Sequence, residues 1–214
     1  VVAIGLFSFL SSKPAVKLTT NLYLGDKNHV PEDAEFVVVC AIELMKEYVK
    51  LHKKKNIKME NIIFDLAKPR VFLKLIDGAR FDQVDLQTSI DALKIIDQKI
   101  AEGKKVYVHC MYGVNRSASH CFMYLVGKGI IKEDSFKKGL REFKKIYPGI
   151  NPLFGGKKLL KYYYPFHDFF DENAEVLSKK IAIAKYKKEQ GLKKVRLKAT
   201  KKENKARAKS IYKQ

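Results

Sequence analysis

Apolar positions along the chain fall into two rhythms. Short runs rich in β-branched and aromatic residues, "NLYLGD", "EFVVVCA", "NIIFDLA" and "VFLKLID", read as strands, with Pro69 and Arg70 between the last two. Elsewhere the period lengthens. Leu86, Ile90, Leu93, Ile96 and Ile100 recur at three- and four-residue steps, which predicts an amphipathic helix over 84–101, ended by Gly103. "KKVYVH" then reads as a short buried strand, and a helix follows from Ser117 to about Val126. Another helix runs from about Glu133 to Ile146, with Phe136, Leu140 and Phe143 on its inner face and "YPG" stopping it. Strands interleaved with helices predict an α/β fold: a central, mostly parallel sheet flanked by helices.

Composition divides this picture into parts. The 214 residues suffice for one well-buried domain and an appendage. The net charge is +20, of which residues 174–214 hold +12. We therefore expect an N-terminal arm over 1–17, a folded domain over 18–170 and a Lys/Arg-rich extension over 171–214, helical or disordered, with a break at Gly191. The charge favours polyanionic partners: nucleic acid, an anionic surface or phosphorylated protein. The opening run "VVAIGLFSFL" is too short to span a bilayer and suits a strand or a packing arm.

Three cysteines, Cys40, Cys110 and Cys121, show neither a CxxC pair nor zinc spacing. That sparse, odd count argues for a reducing compartment, hence an intracellular protein, cytoplasmic or nuclear. His29, His52, His120 and His167 show no metal-ligand spacing, so no metal is expected.

One stretch carries chemistry. "VYVHCMYGVNRSAS", residues 106–119, reads as strand, loop and helix, with Cys110 and Arg116 at the two ends of the loop. A loop entering a helix N-terminus points successive backbone N–H groups inward, and the helix dipole adds positive charge. Gly113 permits the curl that such a cradle needs. The amides of Met111, Tyr112, Gly113, Val114 and Asn115, with the planar fork of Arg116, match the oxygens of a phosphate. The same field favours the thiolate of Cys110, which can attack phosphorus and form a covalent thiophosphate. Ser117 is placed to stabilise that sulfur or assist its departure, and His109, ending the strand, to tie the loop down by hydrogen bonds.

"HCMYGVNRS" resembles the HCx5R(S/T) signature of cysteine-dependent protein phosphatases, in particular the small dual-specificity branch. The resemblance extends to "NLYLGDKNHVPEDAEFVVVCA" and to "REFKKIYPGINPLFGGKKLL", so it covers about residues 18 to 165. It implies a dual-specificity phosphatase-like catalytic domain that hydrolyses phosphotyrosine and phosphoserine/threonine through a cysteinyl-phosphate, with no cofactor. It also implies a general acid on a loop some 30 residues before the cysteine. Asp77 matches that position and Asp82 competes with it. In some relatives a cysteine placed like Cys40 forms a reversible disulfide with the nucleophile; a buried structural thiol is the alternative, and the expected state of Cys121. Met111, Tyr112, Val114 and Asn115 lack the loop lysines found in relatives acting on inositol lipids. Two other functions stay open: an RNA 5′-phosphatase of the same fold, and a catalytically weak anion-binding module. The oligomeric state is left open.

Overall fold

Val106–His109 is apolar on both faces, as a strand at the middle of a parallel sheet must be, and all four of its residues are buried. In the computed structural model, which describes residues 14–53, 56–78 and 80–171, this strand, β6, lies between β2 (Leu22–Gly25) and β3 (Phe36–Val39) and runs parallel to both. β5 (Arg70–Leu73) continues the parallel set beyond β3. β1 (Val16–Lys17) and β4 (Ile62–Phe64) close the two edges as antiparallel strands, giving the order β1-β2-β6-β3-β5-β4. The sheet is mostly parallel, as the alternation of elements predicts. It begins two residues earlier than the expected domain boundary, because Val16–Lys17 pairs with β2 rather than belonging to an arm.

Among the described residues, five α-helices flank the sheet: α1 (Ile42–Leu51), α2 (Leu86–Ala101), α3 (Arg116–Gly127), α4 (Phe136–Ile146) and α5 (Phe154–Tyr163). Asp85 starts α2, its carboxylate accepting from the amides of Gln87 and Thr88. Every residue of α3 from Arg116 to Val126 is buried. Phe122, within α3, is the hub of an aromatic cluster, meeting Phe136, Phe143, Tyr164 and Phe166 in ring contacts. On β5, Phe72 stacks on Tyr48 of α1 with centroids 4.6 Å apart.

Two helices, α1 and α5, go beyond the elements read from the sequence. α1 does carry the helical period, with Met45 and Tyr48 buried and Leu44 and Val49 packed against the core beside them. α5 opens "FGG", whose glycines carry poor helix propensity. The strand read in "VFLKLID" stops at Leu73, and Lys74–Gly78 leave the sheet as a loop. The extension from residue 172 onward and the first 13 residues of the arm lie outside the described residues. Among the described residues, no helix is long and apolar enough to cross a membrane.

This topology gathers four connections on one side. Gly25, Val39 and His109 pair across the carboxyl ends of β2, β3 and β6, where open α/β sheets bind their ligands.

Candidate active site

The segment leaving β6 is anchored before it curls. The Cys40 amide donates to the His109 carbonyl at 2.7 Å, and His109 Nδ1–H donates to the Cys110 carbonyl at 3.0 Å. Burial lowers the His109 pKa against the hydrogen bond to Cys110, so the ring supports the loop as a neutral donor. Cys110 follows at only 2% exposure, at the floor of the loop. Gly113 has φ +74°, and a Cβ there would lie 2.8 Å from both the Gly25 carbonyl oxygen and the Tyr147 hydroxyl. Glycine is thus required twice, for conformation and for space. No backbone amide from Met111 to Asn115 donates to another described residue. The Val114 carbonyl accepts from Asn151 at 2.7 Å, and Tyr112 stands exposed at the rim.

Arg116 opens α3 and is buried. Its Nη1 donates to Glu43 Oε2 at 2.5 Å and to the Leu75 carbonyl at 3.0 Å, and its Nη2 lies 3.4 Å from Asp77 Oδ2. Nε is buried with no partner among the described residues. Burial works to lower the Arg116 pKa, but the Glu43 hydrogen bond and the charges of Cys110 and Asp77 outweigh it, and the value rises. The Ser117 hydroxyl donates to Cys110 Sγ at 3.3 Å.

Asp77 sits on the loop after β5. Besides Arg116 it meets Asn115, whose Nδ2 donates to Asp77 Oδ1. Asn115 Oδ1 accepts from the Leu153 backbone amide at 3.1 Å. The Asn115 side chain is therefore committed to holding two segments together, so only its amide remains for the expected phosphate cradle. The ring of Phe154 packs on Gly78, as near as 3.6 Å to where a Cβ would stand. The competing carboxylate, Asp82, belongs to a 3-10 turn over Phe81–Gln83, and its side chain lies outside the described residues.

The structure thus brings together Cys110, Arg116, Ser117, His109 and Asp77. Cys40 is fully buried next to this group, and all three cysteines are free thiols. Burial pushes the Cys40 and Cys121 thiols well up, and Cys110 adds to the shift at both. One residue, and one role of a residue already named, escaped the sequence reading. Glu43 lies 73 positions before its partner Arg116, and the clamp made by the Asn115 side chain depends on two segments 38 positions away on either side. Among the described residues, no group of three or more His, Cys, Asp or Glu is placed to hold a metal ion.

Comparison with known proteins agrees with this geometry. A family model described as "Dual specificity phosphatase, catalytic domain" matches residues 22–164. A curated protein of Amsacta moorei entomopoxvirus, named as a tyrosine-protein phosphatase, is 42% identical over 52 residues, which cover 24% of this chain and 32% of that protein. The matched region spans about a third of that relative's length. Among solved structures, the human tyrosine phosphatase-like serine/threonine/tyrosine-interacting protein superposes with a TM-score of 0.52 at 18% identity, over 72% of this chain and 98% of its own. A leucine-rich-repeat and phosphatase-domain protein from Entamoeba histolytica gives 0.50 at 15% identity, over 73% of this chain and 92% of its own. At those identities the solved structures establish the fold alone. The family model, spanning two-thirds of the sequence, establishes that the chain belongs to the dual-specificity phosphatase catalytic-domain family.

Proposed function

We propose that the protein is a dual-specificity phosphoprotein phosphatase working through a cysteinyl-phosphate. The observation that carries this reading is the meeting of Cys110, Arg116 and Ser117, from the loop and helix after β6, with Asp77, from the loop after β5, at the carboxyl ends of the parallel strands. Phosphate is held by the amides from Met111 to Asn115 and by Nε and Nη2 of Arg116, with Nη1 already committed to Glu43 and Leu75. Cys110, as thiolate, attacks phosphorus. The S–P bond forms as the bond to the leaving oxygen breaks, and Asp77, protonated, gives its proton to that oxygen. Asp77 then takes a proton from water as the water attacks phosphorus, and the S–P bond breaks with the Ser117 hydroxyl supporting the departing sulfur.

The test is hydrolysis of a phosphotyrosine peptide, a phosphothreonine peptide and a 5′-triphosphorylated RNA by the wild type and by Cys110→Ser. Turnover of both peptides that disappears in the variant supports the proposal. Preferential release of phosphate from RNA transfers the chemistry to an RNA substrate, which the +20 charge would attract. No turnover by the reduced wild type leaves an anion-binding module.

A further inference from the structure

Among the described residues, Asn56, Phe154 and Phe166 have left-handed backbone without being glycine. Asparagine tolerates that region, and Phe166 is buried against Phe122, where packing holds it. Neither account covers Phe154. It has φ +39°, yet its side chain is 71% exposed, so core packing does not fix it there. Strained backbone of this kind gathers at ligand and active sites.

The surroundings of Phe154 identify the site. Its ring lies against Gly78, the residue after Asp77, and Asp77 Oδ2 is 3.4 Å from Arg116 Nη2. Two more exposed aliphatic side chains stand close by, Ile76 on the Asp77 loop and Leu153 before α5. Ile76, Gly78 and Leu153 line one cavity, so the two segments face each other. The three side chains form an apolar shelf at the mouth of the site. Holding the Asp77 loop takes only one edge of the ring, since a Cβ on Gly78 would meet Cδ2 and Cε2, at 3.6 and 3.8 Å. Most of the ring stays open to solvent.

An extended peptide advances about 3.3 Å per residue. With its phosphate at Arg116, a side chain one or two positions away comes within reach of Gly78 and the ring. Lys74, which lines the same cavity, and Lys157, exposed in the first turn of α5, would instead favour an acidic neighbour. Attraction between exposed charges is screened and weak, whereas apolar contact with the ring is not.

We propose that Phe154 is a specificity-determining residue: with Ile76 and Leu153 it selects phosphopeptides that carry a large apolar side chain within two residues of the phosphorylated one. The selection presupposes the phosphoprotein substrate proposed for Cys110 and Asp77, and it adds the sequence context of that substrate.

The experiment is fluorescence anisotropy of labelled phosphotyrosine peptides with the full chain carrying Cys110→Ser. The peptides share a Gly/Ser background, with one Leu or one Asp at −2, −1, +1 or +2, or neither. The expected result is one Leu position that binds about five- to tenfold tighter than the parent peptide. Adding Phe154→Asn, which suits left-handed backbone, should bring that ratio to about one, Ile76→Ser should narrow it, and Phe154→Tyr should keep it. No advantage for any Leu position, an advantage that survives Phe154→Asn, or tighter binding of the Asp series overturns the proposal. So does a 5′-phosphorylated oligoribonucleotide that binds more tightly than every peptide and loosens in Phe154→Asn, which would assign the ring to base stacking. Hydrolysis by the wild type separates the two readings. Turnover without a Leu preference leaves the phosphatase and removes the shelf, and a Leu preference without turnover does the reverse.

Discussion

Asn115 holds Asp77 from one side of its side-chain amide and the Leu153 backbone from the other, so a residue of the Cys110–Arg116 loop fastens the neighbouring Asp77 loop to the start of α5. In Asn115→Ala both bonds vanish, and Asp77 keeps only its 3.4 Å approach to Arg116. We expect kcat to fall about tenfold on alkyl phosphates, where protonating the leaving oxygen matters most, and much less on an aryl phosphate with an acidic leaving group. A uniform loss across leaving groups would show that Asn115 does not act through Asp77.

Asp77→Asn should lower kcat by about 10²–10⁴-fold, whereas Asp82→Asn should change it little. Steady-state kinetics on a phosphotyrosine peptide, with pH profiles, separates the two carboxylates. The reverse ranking would move the acid to the 3-10 turn.

Gly113→Ala forces a side chain into left-handed backbone and against the Gly25 carbonyl and Tyr147 hydroxyl. The conformational part alone costs about 1–2 kcal/mol, and the backbone contact forces the loop to shift. The expected outcome is a folded protein with kcat/KM reduced at least about a hundredfold and weaker inhibition by inorganic phosphate.

Glu43→Gln keeps a hydrogen-bond acceptor for Arg116 but removes the charge. Glu43 is partly exposed, so solvent screens the pair and the effect is modest, about three- to tenfold in kcat/KM and in phosphate affinity. Glu43→Lys, which places a cation beside the guanidinium, should be far worse. Phosphate inhibition constants for the two variants make the comparison.

His120 gives the stability a signed pH dependence. Its ordinary value near 6.5 applies to the unfolded chain, and the folded value is lowered to about 4. Above pH 6.5 neither state is protonated and the residue contributes nothing. As pH falls below 6.5 the unfolded chain takes up a proton that the folded chain refuses, so stability falls by up to about 1.4 kcal/mol per pH unit until roughly pH 4. Denaturant unfolding of the wild type and His120→Asn between pH 4 and 7.5 should show a shallower slope in the variant.

What the sequence disclosed of this site follows from how local each part is. Strand, cysteine, glycine, arginine and serine lie within 12 consecutive residues, Val106 to Ser117, and one local pattern carries them all. The sheet was legible for the same reason, since β6 and β3 are short apolar runs with turn signals at their ends. Asp77 could not be separated from Asp82, because the choice depends on how the loop docks against Asn115, α5 and Phe154, elements distant in the chain. Glu43 left no signal. An acidic residue in the first turn of a helix is common, and only the fold brings it to Arg116.

The strand order has a consequence for how the protein comes apart. β6 is hydrogen-bonded on both sides, so freeing the Cys110 loop means unzipping the middle of the sheet, whereas Asp77 hangs from β5, one strand from the edge. Local opening favours the periphery. Under mild denaturant we expect the Asp77 loop to detach first, which, on the roles proposed above, leaves a protein that captures phosphate but no longer protonates the leaving group.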